Sequence, residues 1–159
     1  MARLLIRKVM STDYPRVFPD AGLDEVARLL LRQGEPVLVV GNRGELVGLV
    51  TEGDLVKRAA DPRQPKEKGL WRSAFLPGES DGTGGQLAEE IMTTQARVVS
   101  ADQEVQLALE LMLSQGLKFL PVVDGLRVVG LLSRRDLLRL YLSEPRVFGR
   151  SGGQTERKK

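Results

Sequence analysis

A mixed α/β (α+β) protein is predicted by this 159-residue sequence. It is read as two tandem β-α-β-β-α repeats related by pseudo-two-fold symmetry, their sheets packed together and their helices outside. Three observations predict it. Residues 10–55 lie over residues 92–137 without a gap, which sets Val17 on Val99, Asp20 on Asp102, Gln33-Gly34 on Gln115-Gly116, Val47-Gly48-Leu49 on Val129-Gly130-Leu131, and Asp54-Leu55 on Asp136-Leu137. Each copy carries one apolar stripe at helical spacing. Each also carries one hairpin with a strong turn signal, and a duplicated unit commonly sets its copies face to face, so a site at their seam comes in related pairs.

The elements follow in order. A short first strand is expected near residues 16–18 and again near 97–99. Leu23, Val26, Ala27 and Leu30 keep the i, i+3, i+4, i+7 spacing of a helix, and Val105, Ala108, Leu109 and Met112 repeat it. Leu29, Leu31, Leu107, Leu111 and Leu113 widen the apolar arc, which points to burial between halves or between subunits of a homodimer. Gly34 and Gly116 end these helices as left-handed C′ glycines. The hairpins run over 37–50 around Asn42-Arg43-Gly44 and over 119–132 around Asp124-Gly125, residue types that tolerate positive φ. A second helix closes each unit, from Asp54 to about 60 and from Asp136 to about 142, with Pro145 after it.

The boundaries are thus 8–60 for the first repeat, 61–87 for a Pro/Gly-rich linker and 88–142 for the second repeat, with a basic tail over 143–159. Trp71, Phe75 and Leu76 mark a short docking helix inside the linker. Residues 151–155 have nothing to bury, so the tail reads as disordered, with nucleic-acid binding through its Arg and Lys residues as the alternative.

Composition narrows the chemistry. Aromatic residues make up 4% of the chain, so the core is built from Leu and Val. There is no Cys and no His, which excludes disulfides, thiol nucleophiles, Cys/His zinc sites and imidazole acid–base work. No P-loop or Rossmann glycine pattern is present, so no catalytic residue and no metal is assigned, and the chain is not read as an enzyme. No stretch reaches the roughly 18 apolar residues of a membrane span, and a cytoplasmic protein is expected.

Ile91-Met92-Thr93, Leu120-Pro121-Val122-Val123-Asp124 and Val129-Gly130-Leu131-Leu132-Ser133-Arg134-Arg135-Asp136-Leu137 together resemble the CBS domain, named after cystathionine β-synthase. The first copy has Val9-Met10-Ser11 and Val47-Gly48-Leu49-Val50-Thr51-Glu52-Gly53-Asp54-Leu55, and two such copies look like a Bateman module. In the gapless alignment the first copy departs from the pattern. Val39 stands opposite Pro121, Gly41 opposite Val123, and Pro36 is displaced.

Thr51-x-x-Asp54 and Ser133-x-x-Asp136 sit where a strand meets a helix. They read equally as N-caps, with Asp short for a reciprocal capping box, or as a phosphate cradle at a helix N-terminus. The resemblance implies an adenine nucleotide (AMP, ADP, ATP or a related adenosyl ligand) between the repeats. Asp136 and Asp54 would then hold ribose, with Ser133 and Thr51 beside the phosphates. It further implies that the base of the Asp136 pocket lies against residues 11–17 and that of the Asp54 pocket against 93–99. Ser11, Thr93, Val17, Val99 and Pro121 thereby become ligand candidates, although Val17 and Val99 read equally as core. Lys118, Arg134 and Arg135 surround one helix start, either as phosphate ligands or as solvated surface. Pro36, Glu52 and Gly53 stand opposite them, so the Asp136 pocket is expected to hold phosphate better. The leading function is a regulatory ligand sensor that signals to another protein or through self-association. The alternatives are a structural interaction module with empty pockets and a nucleic-acid binder.

Overall fold

The structure, a computed structural model, describes residues 3–34, 36–60 and 86–148. The docking segment around Trp71 and the tail beyond residue 148 lie outside the described residues. The first repeat contains β1 (Arg16–Val17), α1 (Leu23–Gln33), β2 (Val37–Val40), β3 (Leu46–Val50) and α2 (Glu52–Ala60). The second begins with the short α3 (Ala88–Ile91) and continues through β4 (Val99–Ser100), α4 (Val105–Gln115), β5 (Phe119–Asp124), β6 (Arg127–Ser133) and α5 (Arg134–Ser143). Each repeat folds one three-stranded sheet, ordered β1-β2-β3 and β4-β5-β6, whose first pair is parallel and second antiparallel. The closing helices start at Glu52 and Arg134, two residues before the expected starts, because Thr51 and Ser133 are the residues that cap them.

The helix-side cores are separate. Val17, Val26, Leu30, Val37, Val39 and Val50 form one, while Val99, Val105, Ala108, Met112, Leu120, Val122, Leu132 and Leu137 form the other. A third cluster lies where the sheets meet, made of Tyr14, Leu38, Val40, Leu49 and Leu131 with Phe119 and Val128 beside them. Side chains alternate along each strand, so Val37 and Val39 face their own helices while Leu38 and Val40 face the other repeat.

The sheets correct the gapless alignment. Val17 pairs with Val39, whereas Val99 pairs with Val122, one residue further on. Leu120 therefore matches Val37, Pro121 matches Leu38, Val123 matches Val40, and Phe119 matches Pro36. A gapless match would turn Leu120 out of its core, because a one-residue slip moves a strand's side chains to the opposite face. The extra residue sits at the helix end. Gly116 takes the left-handed conformation (φ 64°, ψ 30°), and the Leu117 N–H then donates to the Met112 carbonyl at 3.0 Å. Gly34 does not follow the expected left-handed cap: its φ is 86° but its ψ is −171°. The hairpin absorbs the difference, since Val40 pairs with Leu46 but Val123 pairs with Val128.

Proline explains why the first strands are offset. The Leu38 N–H donates to the Pro15 carbonyl at 2.9 Å and opens β1 at Arg16. Pro121, its counterpart, has no N–H, so β4 opens one residue later, at Val99 rather than the expected 97. At the other end the Ala101 N–H donates to the Val123 carbonyl at 2.9 Å and extends β4 through Ser100. Pro19 stands at the matching place in the first repeat and stops β1 at Val17.

The repeats also exchange their lead-in segments. Ile6 is buried in the core of the second repeat, and Ala88 in that of the first. The Ile6 N–H donates to the Gln103 carbonyl at 2.9 Å, and the Ala88 N–H donates to that of Ala21 at 2.8 Å. Arg7 fastens the first exchange through Asp102, with Asp124 3.7 Å away. Asp102 holds the Arg7 guanidinium even more firmly protonated than is usual. The Glu45–Arg127 bridge lies on the pseudo-two-fold axis, since these residues are each other's counterparts. Residues 145–148, assigned above to a disordered tail, form a 3-10 turn whose Val147 and Phe148 pack on the second core.

Candidate functional site

Two related crossings are built where a lead-in segment pairs with the other repeat's third strand. Ser11 pairs with Leu131 through two backbone bonds of 2.9 Å, and Thr93 pairs with Leu49 through bonds of 3.0 and 2.8 Å. The crossing needs glycine beneath it. A Cβ on Gly130 would stand 2.5 Å from Met10 Sδ and 3.0 Å from the Ser11 carbonyl oxygen, and one on Gly48 2.7 Å from Met92 Sδ and 2.9 Å from that of Thr93. Gly48 and Gly130 are therefore packing residues.

The third strand delivers the chain directly into a helix. At α5 the Ser133 hydroxyl accepts from the Asp136 N–H at 3.3 Å, while Asp136 Oδ2 accepts from the Ser133 N–H at 2.9 Å. Thr51 and Asp54 reproduce these bonds at 3.3 and 2.9 Å. Asp, expected to be short for a reciprocal box, completes both. The second carboxylate oxygen reaches across the seam. The Ser11 hydroxyl donates to Asp136 Oδ1 at 3.1 Å and the Thr93 hydroxyl to Asp54 Oδ1 at 3.5 Å. The structure thus brings Ser11, Ser133 and Asp136 together, and likewise Thr93, Thr51 and Asp54.

The remaining candidates fall elsewhere. Val17 and Val99 are buried in the two helix-side cores, which is the packing reading of those positions. Pro121 is fully buried in β5. Arg134 Nε donates to the Leu117 carbonyl at 2.9 Å, and its N–H to that of Lys118 at 3.0 Å. The guanidinium thereby closes the turn after α4. Lys118 and Arg135 are exposed. Asp136 is 6% exposed and also meets Arg139 at 3.4 Å, while Asp54 is half-buried. Sequence reasoning took in Tyr14 only as part of the 11–17 segment and did not single it out as a buried phenol, whose hydroxyl donates to the Val128 carbonyl at 3.5 Å. Its rarity in a chain with two tyrosines was the only signal.

Among the described residues no buried side-chain polar atom lacks a partner, and no cluster of three or more acidic residues could hold a metal ion. No described helix is long and apolar enough to cross a membrane.

Comparison with known proteins places this geometry. The family model described as CBS domain matches residues 6–61 and again 88–143. An uncharacterised protein of Methanocaldococcus jannaschii, MJ1404, is 30% identical over 120 residues, which are 74% of this chain and 27% of that protein's length. A 17.7 kDa protein of Acidianus ambivalens is 27% identical over 139 residues, covering 86% of this chain and 73% of that one. The chain thus spans about a quarter of the first relative and most of the second. Among solved structures, that of CBSX2 in complex with AMP superposes with a TM-score of 0.68 at 23% identity, covering 88% of this chain and 97% of that one. The CBS domain pair of MJ0100, in complex with 5′-methylthioadenosine and S-adenosyl-L-methionine, gives 0.66 at 23% identity and covers 89% and 98%.

Proposed function

The chain belongs to the CBS domain family, and from that premise we propose that it is a regulatory module that binds an adenosyl ligand between its two repeats. The reading is supported by the bond each cap carboxylate makes across the seam, Ser11 to Asp136 and Thr93 to Asp54. A ribose donates through two hydroxyls, so a ligand engaging either carboxylate takes over an inter-repeat bond. Ligand occupancy is then coupled to the relative orientation of the repeats, and a partner with different affinity for the two orientations reads it. AMP, 5′-methylthioadenosine and S-adenosylmethionine, bound by structural neighbours, are the first ligands to try.

The same reading includes a homodimer. Leu31 and Leu113 are exposed counterparts on α1 and α4, and Val56 and Leu138 are exposed counterparts on α2 and α5. The same apolar positions are presented twice, a pattern suited to a second copy.

Thermal unfolding with and without each adenosyl ligand tests the sensor. A ligand at a hundred times its Kd stabilises the native chain by about 2.7 kcal/mol. No shift with any of them rejects the sensor and leaves a structural interaction module.

A further inference from the structure

The two lead-in segments cross the seam through the same backbone bonds but are not held equally. In the first, the Ile6 N–H donates to the Gln103 carbonyl at 2.9 Å and the Arg7 N–H to that of Ala101 at 3.0 Å, while the Leu4 carbonyl accepts from the Val105 N–H at 2.9 Å. In the second, the Ala88 N–H donates to the Ala21 carbonyl at 2.8 Å and the Glu89 N–H to that of Pro19 at 3.0 Å, while the Gln86 carbonyl accepts from the Leu23 N–H at 3.1 Å. The last bond of each set satisfies the first N–H of a helix that has no side-chain cap, α4 in one case and α1 in the other. The matched bonds set Leu4 against Gln86, Ile6 against Ala88 and Arg7 against Glu89.

These differences all favour the first segment. Ile6 buries a branched side chain where Ala88 buries a methyl, and Leu4 packs on the second core where Gln86 stands on the first. Arg7 pairs with Asp102 and lies 3.7 Å from Asp124, and Arg3 meets Glu104 at 3.3 Å. At the second crossing Glu89 takes the place of Arg7 and Asp20 that of Asp102, so two carboxylates face each other where a guanidinium and a carboxylate pair. Among the described residues neither Asp20 nor Glu89 has a side-chain hydrogen bond or ion pair to offset this. Further along, the hydroxyl bond lengthens from 3.1 Å at Ser11 to 3.5 Å at Thr93. The helix beside the second segment is also the looser one. No residue of α2 is buried, whereas α5 buries Asp136, Leu137 and Leu140. Arg58 Nε donates to Gln86 Oε1 at 2.8 Å and ties α2 to the start of that segment.

From these differences we propose that the seam opens at one end, residues 86–93 releasing together with α2 while residues 3–11 stay clasped to the second repeat. The half-open form is a conformational device built into the fold. In it the first repeat loses the cap of α1 and the edge partner of β3, and the second repeat keeps both of its own. A partner that favours this form acts through the first repeat. The device does not depend on the adenosyl reading.

Native-state hydrogen exchange of the full chain, read at matched amides and corrected for intrinsic rates, tests it. Ala88, Thr93, Leu49 and Leu23 are expected to exchange at least about tenfold faster than Ile6, Ser11, Leu131 and Val105. Added salt brings the two sets together, because it screens a repulsion at one crossing and an attraction at the other. Asp20→Arg, which sets a guanidinium against Glu89, slows Ala88 and Thr93 by about three- to fivefold and leaves Ser11 and Leu131 unchanged. Asp20→Asn acts in the same direction, more weakly. Arg7→Glu speeds Ser11 and Val105 by about three- to fivefold, and Arg7→Gln replaces it if that chain does not fold. The proposal is overturned if the two sets exchange alike, if the set around residues 3–11 is the faster, or if the Asp20 variants leave Ala88 and Thr93 unchanged. It is equally overturned if those variants slow every amide by the same factor, which is a change in global stability alone.

Discussion

In the first repeat the chain leaves α1 through Gly34, at φ 86° and ψ −171°, and the middle strand begins at Val37. In the second it turns left-handed at Gly116, spends one more residue, and recovers it in a shorter hairpin turn. The strands between these two adjustments keep their faces: Val37 and Leu120 occupy corresponding places in their cores. An insertion is tolerated where backbone conformation is free and refused where it would invert a buried strand. The crossing points are conserved more tightly still. Gly48 and Gly130, the two capping boxes and the two cross-seam hydroxyl bonds are matched pairs. The repeats therefore agree at the bonds that hold them to each other and diverge beside those bonds, where Tyr14 is buried in one and Ala96 stands in the other.

Substitution at the paired glycines tests that agreement most severely. Gly48→Ala and Gly130→Ala should each cost about 1–3 kcal/mol, because the new methyl meets a backbone carbonyl as well as a methionine. Urea unfolding measures both, and a wide gap between them would mean that one crossing carries the seam. The caps should separate the repeats by a smaller amount. Ser133→Ala is expected to cost about 2 kcal/mol and Thr51→Ala about 1 kcal/mol, since only the first leaves a nearly buried carboxylate short of a partner. Equal costs would show that burial of Asp136 contributes nothing.

Pro121→Leu gives the smallest effect, within about 1 kcal/mol. It supplies the N–H that Leu38 has and should pair it with the Arg97 carbonyl. Hydrogen exchange should then reveal one newly protected amide at position 121. A fast-exchanging amide there would mean that Pro121 is not what delays β4.

Much of the site was legible in sequence because its signals are local. Ser133-x-x-Asp136 after a β-pattern announces a helix start, and the structure builds both capping boxes there. The relation of Ser11 to Asp136 and of Thr93 to Asp54 was expected only from the family resemblance. The burial of Tyr14 was missed because nothing in its own neighbourhood distinguishes a buried phenol from a solvated one. The gapless alignment concealed the strand slip because Leu120 lies opposite Leu38, an identity that is real in sequence and false in space.

By itself the sequence determined the duplication, the helix stripes, the hairpins and the strand-to-helix junctions, since each is written in spacing along a few consecutive residues. Tertiary structure alone decided the exchange of lead-in segments, the one-residue displacement of β5 and the burial of Tyr14 at the seam. Those depend on which surfaces bury each other across the seam, and contacts between residues far apart in the chain leave no period within either repeat.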